Sequence, residues 1–365
     1  MTWSPQQDAA IAEVKTWLKD ESRQVFYLAG YAGTGKTTLA KELAGGLKRG
    51  VLYGAFTGKA ALVLQRKGCR GASTIHSMIY SLDETSAGWE PKFRLNPLSP
   101  VREAELVIID ECSMVDDQLG RDLLSFGTKV LVLGDPAQLP PVKGQGFFTA
   151  REPDVMLTEV HRQARDNPII AMSMTIREGG RLALGSYGKS EVITRAQVVP
   201  DRILGADQVL VGRNQTRRSY NARIRELKDL DPAGPQASDK LVCLRNNREK
   251  RLLNGQLWTV DQVKDARPDG IRMLASSEDH LEAKPTNITV PPEFFCGRED
   301  ELTFQQRREA DEFTYGYALT CHKAQGSQWD DVVVFDEASA FREDAWRWRY
   351  TAVTRAAERV TVVAA

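Results

Sequence analysis

Short, unbroken apolar runs alternate with longer amphipathic stretches along the first third of this chain. Val25–Ala29 reads as a buried strand, and Lys36 to Leu47 carries apolar residues at helical spacing. The pattern continues with a strand at Val51–Ala55, a helix over Thr57–Lys67 and a short helix over Ser73–Tyr80. Leu106–Asp110 and Lys129–Leu133 extend the sheet. Strands separated by helices predict a parallel, doubly wound arrangement, because parallel neighbours need a crossover connection. Ser81–Pro100 interrupts the alternation with Gly88, Pro91, Pro97, Pro100 and two aromatics, Trp89 and Phe93. It reads as a small insertion rather than a core element.

Alternation returns at Gln208–Val211, a strand, and Asn214–Leu227, a basic helix. The string Asp231-Pro232-Ala233-Gly234-Pro235 then punctuates the chain. From about 240 to 308 the pattern changes to short β segments at Lys240–Leu244, Gln256–Val263 and Gly270–Leu274, with Asn254-Gly255 as a turn. Past Phe313 the chain reads as strands Tyr315–Leu319, Val332–Phe335 and Val360–Val363 with a helix Asp344–Ala356. The expected fold is α/β with two parallel-sheet domains. The first covers 1–160, with an insertion at 81–100. The second covers 161–239 and 313–365 and is split by a β module at 240–312. No internal tandem repeat or low-complexity tract stands out.

Chemistry enters at Gly30-Tyr31-Ala32-Gly33-Thr34-Gly35-Lys36-Thr37, followed by Thr38. This is the phosphate-binding pattern G-x-x-x-x-G-K-[ST] between a strand and a helix. Glycines let backbone N–H groups approach phosphates at a helix N-terminus. Lys36 is expected on the β- and γ-phosphates of ATP and Thr37 on Mg²⁺. The competing reading, an ordinary glycine-rich turn, does not account for the flanking strand and helix. Leu106-Val107-Ile108-Ile109-Asp110-Glu111 ends a buried strand in two carboxylates, at the end where open α/β sheets bind ligands. Asp110 is expected to hold Mg²⁺, and Glu111 to orient or deprotonate the attacking water. Together the two strings indicate nucleoside-triphosphate hydrolysis without saying what it drives.

Composition narrows the rest. The 49 basic and 49 acidic residues cancel, so no global field advertises nucleic acid, although a local basic groove fits within a neutral total. Five scattered cysteines without a C-x-x-C pair suit a reducing cytosol and argue against zinc or a disulfide frame. No secretory leader and no long uncharged apolar run is evident. The expectation is a cytoplasmic protein with no membrane partner.

The order of further strings resembles a superfamily-1 helicase of the RecD/Dda type, over nearly the whole chain. Trp3-Ser4-Pro5-Gln6-Gln7 resembles the motif that recognises adenine. Phe56-Thr57-Gly58-Lys59-Ala60-Ala61 resembles motif Ia and Ser73-Thr74-Ile75-His76 motif Ib. Asp110-Glu111-Cys112-Ser113-Met114 is similar to motif II, and Gly134-Asp135-Pro136-Ala137-Gln138-Leu139-Pro140-Pro141-Val142 to motif III. Leu157-Thr158-Glu159-Val160-His161-Arg162-Gln163 resembles the arginine-bearing segment that opens the second motor domain. Leu319-Thr320-Cys321-His322-Lys323-Ala324-Gln325-Gly326-Ser327 resembles motif V, and Tyr350-Thr351-Ala352-Val353-Thr354-Arg355-Ala356 motif VI. Two positions depart from the pattern. Phe56 stands where proline is usual and reads as core more than as a stacking face. Cys112 stands where a small apolar residue is common.

The resemblance implies two RecA-like domains with ATP held between them. Gln7, Gly30, Ala32, Gly33, Thr34, Gly35, Lys36, Thr37, Thr38 and Gly326 would then lie at the nucleotide. Gln138 would sense the γ-phosphate, and Arg162 and Arg355 would fork onto it from the second domain. A surface ion pair with Glu358 is the other reading of Arg355. The resemblance further implies single-stranded DNA and single-strand/duplex junctions as partners, with 5′-to-3′ movement. Thr57, Lys59, Thr74, His76, Pro140, Thr320, His322 and Lys323 match positions near the DNA backbone. The insertion at 81–100 would be a strand-separating pin, with Trp89 or Phe93 on the splitting base pair or packed onto its own domain. The β module would be the SH3-like subdomain. His76, His161 and His322 lack zinc-ligand spacing. The basic helix reads equally as a solvated face or a DNA contact. A monomer is expected, with replication or repair proteins as possible partners. Two further readings stay open: a RecD-like motor subunit that translocates but unwinds only within a complex, and a non-catalytic DNA-binding scaffold.

Overall fold

The computed structural model describes residues 3–47, 50–82, 93–141, 146–159, 166–247, 249–267, 269–279 and 283–365. It divides into two compact units, Met1–Met174 and Thr175–Ala365, with the boundary inside a helix at Pro168–Arg177.

The first unit runs α1 (Pro5–Lys19), β1 (Val25–Gly30), α2 (Lys36–Gly45), β2 (Val51–Ala55), α3 (Gly58–Arg66), β3 (Ser73–Thr74), α4 (Ile75–Ile79), β4 (Tyr80–Leu82), β5 (Phe93–Leu95), β6 (Leu106–Asp110), α5 (Asp117–Leu124), β7 (Lys129–Gly134) and β8 (Val155–Leu157). Six of these strands form one parallel sheet in the order β3-β2-β6-β7-β1-β8. Strand residues alternate between two apolar layers. Tyr27, Val107, Ile109, Val130 and Val132 pack on one face with Ile75 and Leu119. Phe26, Leu28, Leu106, Ile108, Leu131 and Leu133 pack on the other with Trp17 and Leu39. Burial on both faces is why these strands read as continuous apolar runs. Helix α1 starts at a reciprocal cap: Gln7 N–H donates to Ser4 Oγ at 3.3 Å, and Ser4 N–H donates to Gln7 Oε1 at 3.0 Å. Within the insertion, β4 and β5 pair antiparallel.

The second unit continues with α6 (Pro168–Arg177, shared across the boundary), β9 (Gly185–Tyr187), β10 (Ser190–Ile193), α7 (Pro200–Leu204), β11 (Gln208–Val211), α8 (Asn214–Leu227), β12 (Lys240–Cys243), β13 (Leu257–Arg267), β14 (Gly270–Ser277), β15 (Thr286–Val290), α9 (Glu293–Cys296), α10 (Phe304–Glu309), β16 (Phe313–Tyr315), β17 (Ala318–Thr320), β18 (Trp329–Phe335), α11 (Ala345–Val353) and β19 (Ala356–Val363). Its main sheet has the order β17-β11-β18-β19-β10-β9, parallel except for the β9–β10 hairpin. A separate five-stranded antiparallel sheet, β15-β14-β13-β12-β16, forms the β module.

Tyr315–Leu319, expected as one strand of the α/β domain, is two strands in two sheets. Phe313–Tyr315 pairs with β12 in the β module, and Ala318–Thr320 pairs with β11 in the parallel sheet. The hinge is Gly316. A Cβ there would stand 2.8 Å from the Leu241 carbonyl carbon, so only glycine fits this close approach. Buried Gln208 donates through Nε2 to Gly316 O at 3.1 Å and Tyr317 O at 2.9 Å, satisfying the carbonyls where the chain changes sheets. No helix among the described residues is long and apolar enough to cross a membrane.

Candidate active site

The loop from Gly30 to Thr37 joins the carboxyl end of β1 to the N-terminus of α2. Gly33 and Gly35 have φ of 78° and 79°, the left-handed region where a side chain costs about 1–2 kcal/mol. Gly30 is needed for space instead: a Cβ would meet Thr34 Oγ1 at 2.7 Å and Leu157 Cβ at 2.9 Å. Thr34 is buried. Its hydroxyl donates to Tyr31 O at 2.9 Å, and its carbonyl accepts from Gln7 Nε2 at 3.0 Å. The Gln7 amide therefore caps α1 with its oxygen and braces the phosphate loop with its nitrogen. Gly33 and Thr38 are exposed, and Ala32 is half-buried.

Lys36 Nζ donates to Gly30 O at 2.5 Å and Tyr31 O at 3.0 Å, loop carbonyls that phosphate oxygens can replace. The Thr37 hydroxyl donates to Asp110 Oδ2 at 3.0 Å. A hydroxyl and a carboxylate side by side are the hard oxygen donors that suit Mg²⁺. Asp110 Oδ1 accepts the Glu111 N–H at 2.9 Å. Glu111 itself is left-handed, with φ 53° and ψ 47°. Such backbone costs a non-glycine residue about 1–3 kcal/mol and clusters at active sites. Gln138 is 9% exposed, and its Oε1 has no hydrogen-bond partner among the described residues. A buried orphan acceptor costs about 1–3 kcal/mol, which points to a role other than stability. Phe56 packs against the apolar layer that holds Tyr27, and Cys112 is fully buried there, so both departures from the motif pattern are core residues. Arg162, His161 and Trp89 lie outside the described residues.

In the second unit, Arg355 is 6% exposed. Its guanidinium donates to Thr351 O at 3.1 Å, Ser327 O at 3.2 Å and Thr354 Oγ1 at 3.4 Å. Glu358 pairs with Lys189 at 3.6 Å. The Ser327 contact ties Arg355 to the motif V turn, in which Gly326 has φ 73°. Thr320 Oγ1 accepts the Lys323 N–H at 3.3 Å. Lys323 Nζ donates to Asn254 Oδ1 in the β module's Asn-Gly turn. Burial pulls the Lys323 ammonium down to about 8. Burial also lowers the His322 pKa, against the opposing pull of Asp344.

The remaining residues expected near the DNA backbone lie in the first unit. Thr57 and Thr74 cap α3 and α4, accepting from Ala60 N and Ser77 N at 3.1 Å each. Lys59 is buried and Pro140 half-buried. His76 is exposed beside Tyr80, with ring centres 4.6 Å apart, and Phe93 meets the same imidazole edge-on at 6.0 Å. Phe93 keeps 53% of its surface exposed. Tyr80 is fixed by its hydroxyl, which donates to Asp122 Oδ2 at 2.6 Å.

The AAA domain matches residues 2–197, more than half of the chain. The chain belongs to the AAA domain family and is of the superfamily-1 RecD/Pif1 type. The UvrD-like helicase C-terminal domain matches residues 315–363, which hold motif V and Arg355. The chain is similar to the ATP-dependent RecD2 DNA helicase of Deinococcus radiodurans, 32% identical over 366 residues, 91% of this chain and 46% of that protein. It spans about half the length of that relative. It is also similar to the ATP-dependent DNA helicase Pif1 of Bdellovibrio bacteriovorus, 25% identical over 377 residues, 90% of this chain and 81% of that protein. Bacteroides Pif1 bound to single-stranded DNA shares the fold, with a TM-score of 0.58, 18% identity, and coverage of 99% of this chain and 92% of that one.

In this AAA-domain chain, residues 198–314 between the two matched regions carry α8 and most of the β module. The basic character of α8 resolves residue by residue. Arg225 forms a buried pair with Asp239 at 2.9 Å, Arg218 pairs with Glu299 at 3.0 Å, and Arg223 pairs with Glu226 at 2.5 Å. Arg225 therefore serves the fold, while Arg218 and Arg223 make ion pairs on an exposed face. Two site-supporting residues had only a faint signal in the sequence. Gln6 Oε1 accepts the Thr158 and Glu159 N–H groups at 2.9 Å each, binding α1 to the end of β8. Asn254 was legible only as a turn residue, and its contact with Lys323 depends on tertiary structure.

Proposed function

We propose that this protein hydrolyses ATP to move 5′ to 3′ along single-stranded DNA and to separate duplex, acting as a cytoplasmic monomer. The observation that carries the reading is the meeting of Thr37 with Asp110 at 3.0 Å beside the strained Glu111, in a chain of the RecD/Pif1 type.

The residues divide the work as follows. Lys36 exchanges its loop carbonyls for the β- and γ-phosphates and puts positive charge where negative charge develops. Thr37 and Asp110 would hold Mg²⁺, which when bound adds charge against the phosphate oxygens. Glu111 orients and deprotonates the attacking water. Gln138 offers its unpartnered amide oxygen to that water and its amide nitrogen as the donor that senses the γ-phosphate. Arg355 supplies a forked cation from the second unit, leaving its carbonyl partners when nucleotide is present, and Arg162 is a further cation for the same phosphate. On the DNA side, Thr57, Lys59, Thr74, Pro140, Thr320, His322 and Lys323 serve the strand backbone. His76 and Phe93 offer ring faces to bases at the junction, and the β module acts as an SH3-like arm over the strand.

A second reading, a motor subunit that unwinds only with partners, is favoured by similarity to the RecBCD enzyme subunit RecD of Mycobacterium tuberculosis, 25% identical over 94% of this chain. One experiment separates the readings. Purified protein is assayed for DNA-stimulated ATPase and for unwinding of duplexes bearing only a 5′ or only a 3′ single-stranded tail. Unwinding of the 5′-tailed substrate alone supports the helicase. ATPase without unwinding supports the dependent subunit, and neither activity supports a scaffold.

A further inference from the structure

The two parallel sheets are visited by the chain in the same order, apart from their last edge strand. β1, β2, β3, β6 and β7 occupy the positions that β10, β11, β17, β18 and β19 occupy in the second unit. The third position of each sheet therefore holds β6 in one and β18 in the other. Each runs into the same two acids at its carboxyl end: Val107-Ile108-Ile109-Asp110-Glu111 and Val333-Val334-Phe335-Asp336-Glu337. No phosphate loop faces the second pair, because Ile193 at the end of β10 runs into Thr194-Arg195-Ala196-Gln197.

The carboxylates of the second pair are fully engaged by the unit's own backbone and side chains. Glu337 Oε2 accepts the Gly212 N–H at 2.7 Å and the Arg213 N–H at 3.1 Å, and Oε1 accepts the Thr216 hydroxyl at 2.6 Å. One acid thus binds the two residues that lead into α8 and the hydroxyl of its third residue, beside the helix end whose partial positive charge favours an anion. Gly212 makes room for it: a Cβ there would stand 2.9 Å from both Glu337 Cβ and the Phe341 ring. Asp336 Oδ2 accepts Arg349 Nε at 2.6 Å, fixing α11, which leads directly to Arg355. The segment between these contacts reaches motif V. The Phe341 ring lies 5.7 Å from His322 and stacks on Trp348 at 5.8 Å. The next residue, Arg342, has φ 49° and ψ −113°, a strained backbone that its surroundings must hold in place.

We infer that Asp336 and Glu337 are the second unit's counterpart of Asp110 and Glu111, turned from nucleotide chemistry to positioning. Asp336 sets the helix that leads to Arg355, and Glu337 sets the start of α8 and, through Phe341, the motif V histidine. The pair joins the nucleotide-facing and strand-facing parts of the second unit through one short segment. The inference rests on the motor reading for what Arg355 and His322 do. It rests on this chain's own contacts for how they are held.

The test is a split phenotype in the full chain. Asp336→Asn weakens the hold on Arg349. It should lower kcat for DNA-stimulated hydrolysis about ten-fold, a modest share of what ångström-scale misplacement costs, with KM for ATP and affinity for a single-stranded oligonucleotide each changed less than about two-fold. Arg349→Lys keeps a charge on Asp336 and should fall between wild type and that variant. Glu337→Ala should weaken oligonucleotide binding about ten-fold while kcat at saturating DNA stays within about two-fold. Glu337→Gln keeps an acceptor for the two N–H groups and should largely restore binding. Wild-type parameters in both Asp336→Asn and Glu337→Ala would overturn the inference, as would equal loss of both parameters accompanied by a lowered Tm. A wild-type chain without DNA-stimulated hydrolysis would instead overturn the motor reading. The positioning role would then be decided by hydrogen exchange at the Gly212 and Arg213 amides. Glu337→Ala should speed that exchange about ten-fold and Glu337→Gln should not, and unchanged exchange in Glu337→Ala would overturn it.

Discussion

The Thr37 hydroxyl donates to Asp110 Oδ2 at 3.0 Å across 73 residues of chain. The contact joins the first turn of α2 to the last residue of β6, so the two oxygen donors are assembled before any ligand arrives. Thr37→Val removes one of them and keeps the shape. The Mg²⁺ concentration for half-maximal ATPase should rise about ten-fold or more, the scale on which metal affinity falls when a supporting group is lost. Thr37→Ser should restore it. A Mg²⁺ titration at saturating ATP and DNA decides the matter, and an unchanged midpoint would remove Thr37 from the metal site.

Lys36→Ala should abolish hydrolysis, since nothing else in the loop brings a mobile cation to the phosphates. Glu111→Gln should leave nucleotide binding nearly intact and lower kcat at least about 10²-fold, as expected for loss of a general base. A fluorescent nucleotide titration and a phosphate-release assay separate the two effects. Wild-type turnover in Glu111→Gln at saturating DNA would show that another group orients the water.

Arg355→Ala should lower kcat about 10³-fold, the scale of an arginine finger, with a much smaller change in nucleotide affinity. Lysine should not rescue, because a point charge cannot fork. Arg355 also holds Thr351 O and Ser327 O, so Tm is measured alongside. Normal kcat with a lowered Tm would assign Arg355 to structure alone.

Phe93→Ala and His76→Ala test the exposed ring pair. Each should reduce unwinding of a 5′-tailed duplex while DNA-stimulated ATPase is unchanged, since a base–aromatic stack is worth about 1–3 kcal/mol only where a base is contacted. Replacing 81–100 with a short Gly/Ser linker should abolish unwinding and spare ATPase. Wild-type unwinding by the linker variant would move strand separation to another element, with the β module as the next to test.

Burial places the Lys323 pKa at about 8, below the ordinary lysine value of about 10.4. A base with a lowered folded pKa binds fewer protons folded than unfolded, so its charging penalty is relieved, and stability rises, between about pH 8 and 10.4. Strand binding changes in the opposite sense. Raising the pH through about 8 discharges Lys323 and removes one phosphate contact, so oligonucleotide affinity should fall there. The slope of log affinity against log salt should shrink by roughly 0.7, the single-strand value for one contact. Lys323→Arg should flatten the pH dependence. A wild-type affinity independent of pH between 7 and 9 would exclude Lys323 from the strand site.

By itself the sequence determined the parts whose chemistry is written in consecutive residues. The phosphate loop needs its glycines, lysine and threonine in one turn, and a strand buried on both faces must be an apolar run. For that reason β1, β2, β6, β11 and the Gly30–Thr37 loop were legible with their boundaries nearly right. Tertiary structure decided whatever depends on distant partners. Gly316 shows no sign in the sequence of sending Phe313–Tyr315 into one sheet and Ala318–Thr320 into another, because close approach to Leu241 is a property of the packed fold. Asn254 reads as a turn until folding sets its amide oxygen on Lys323. The Asp-Glu string after β18 gains meaning only from its sheet position, which is fixed by strand pairing across more than a hundred residues. Local strings carry local chemistry. The pairing of strands, which removes backbone groups and apolar side chains from water together, decides which strings meet.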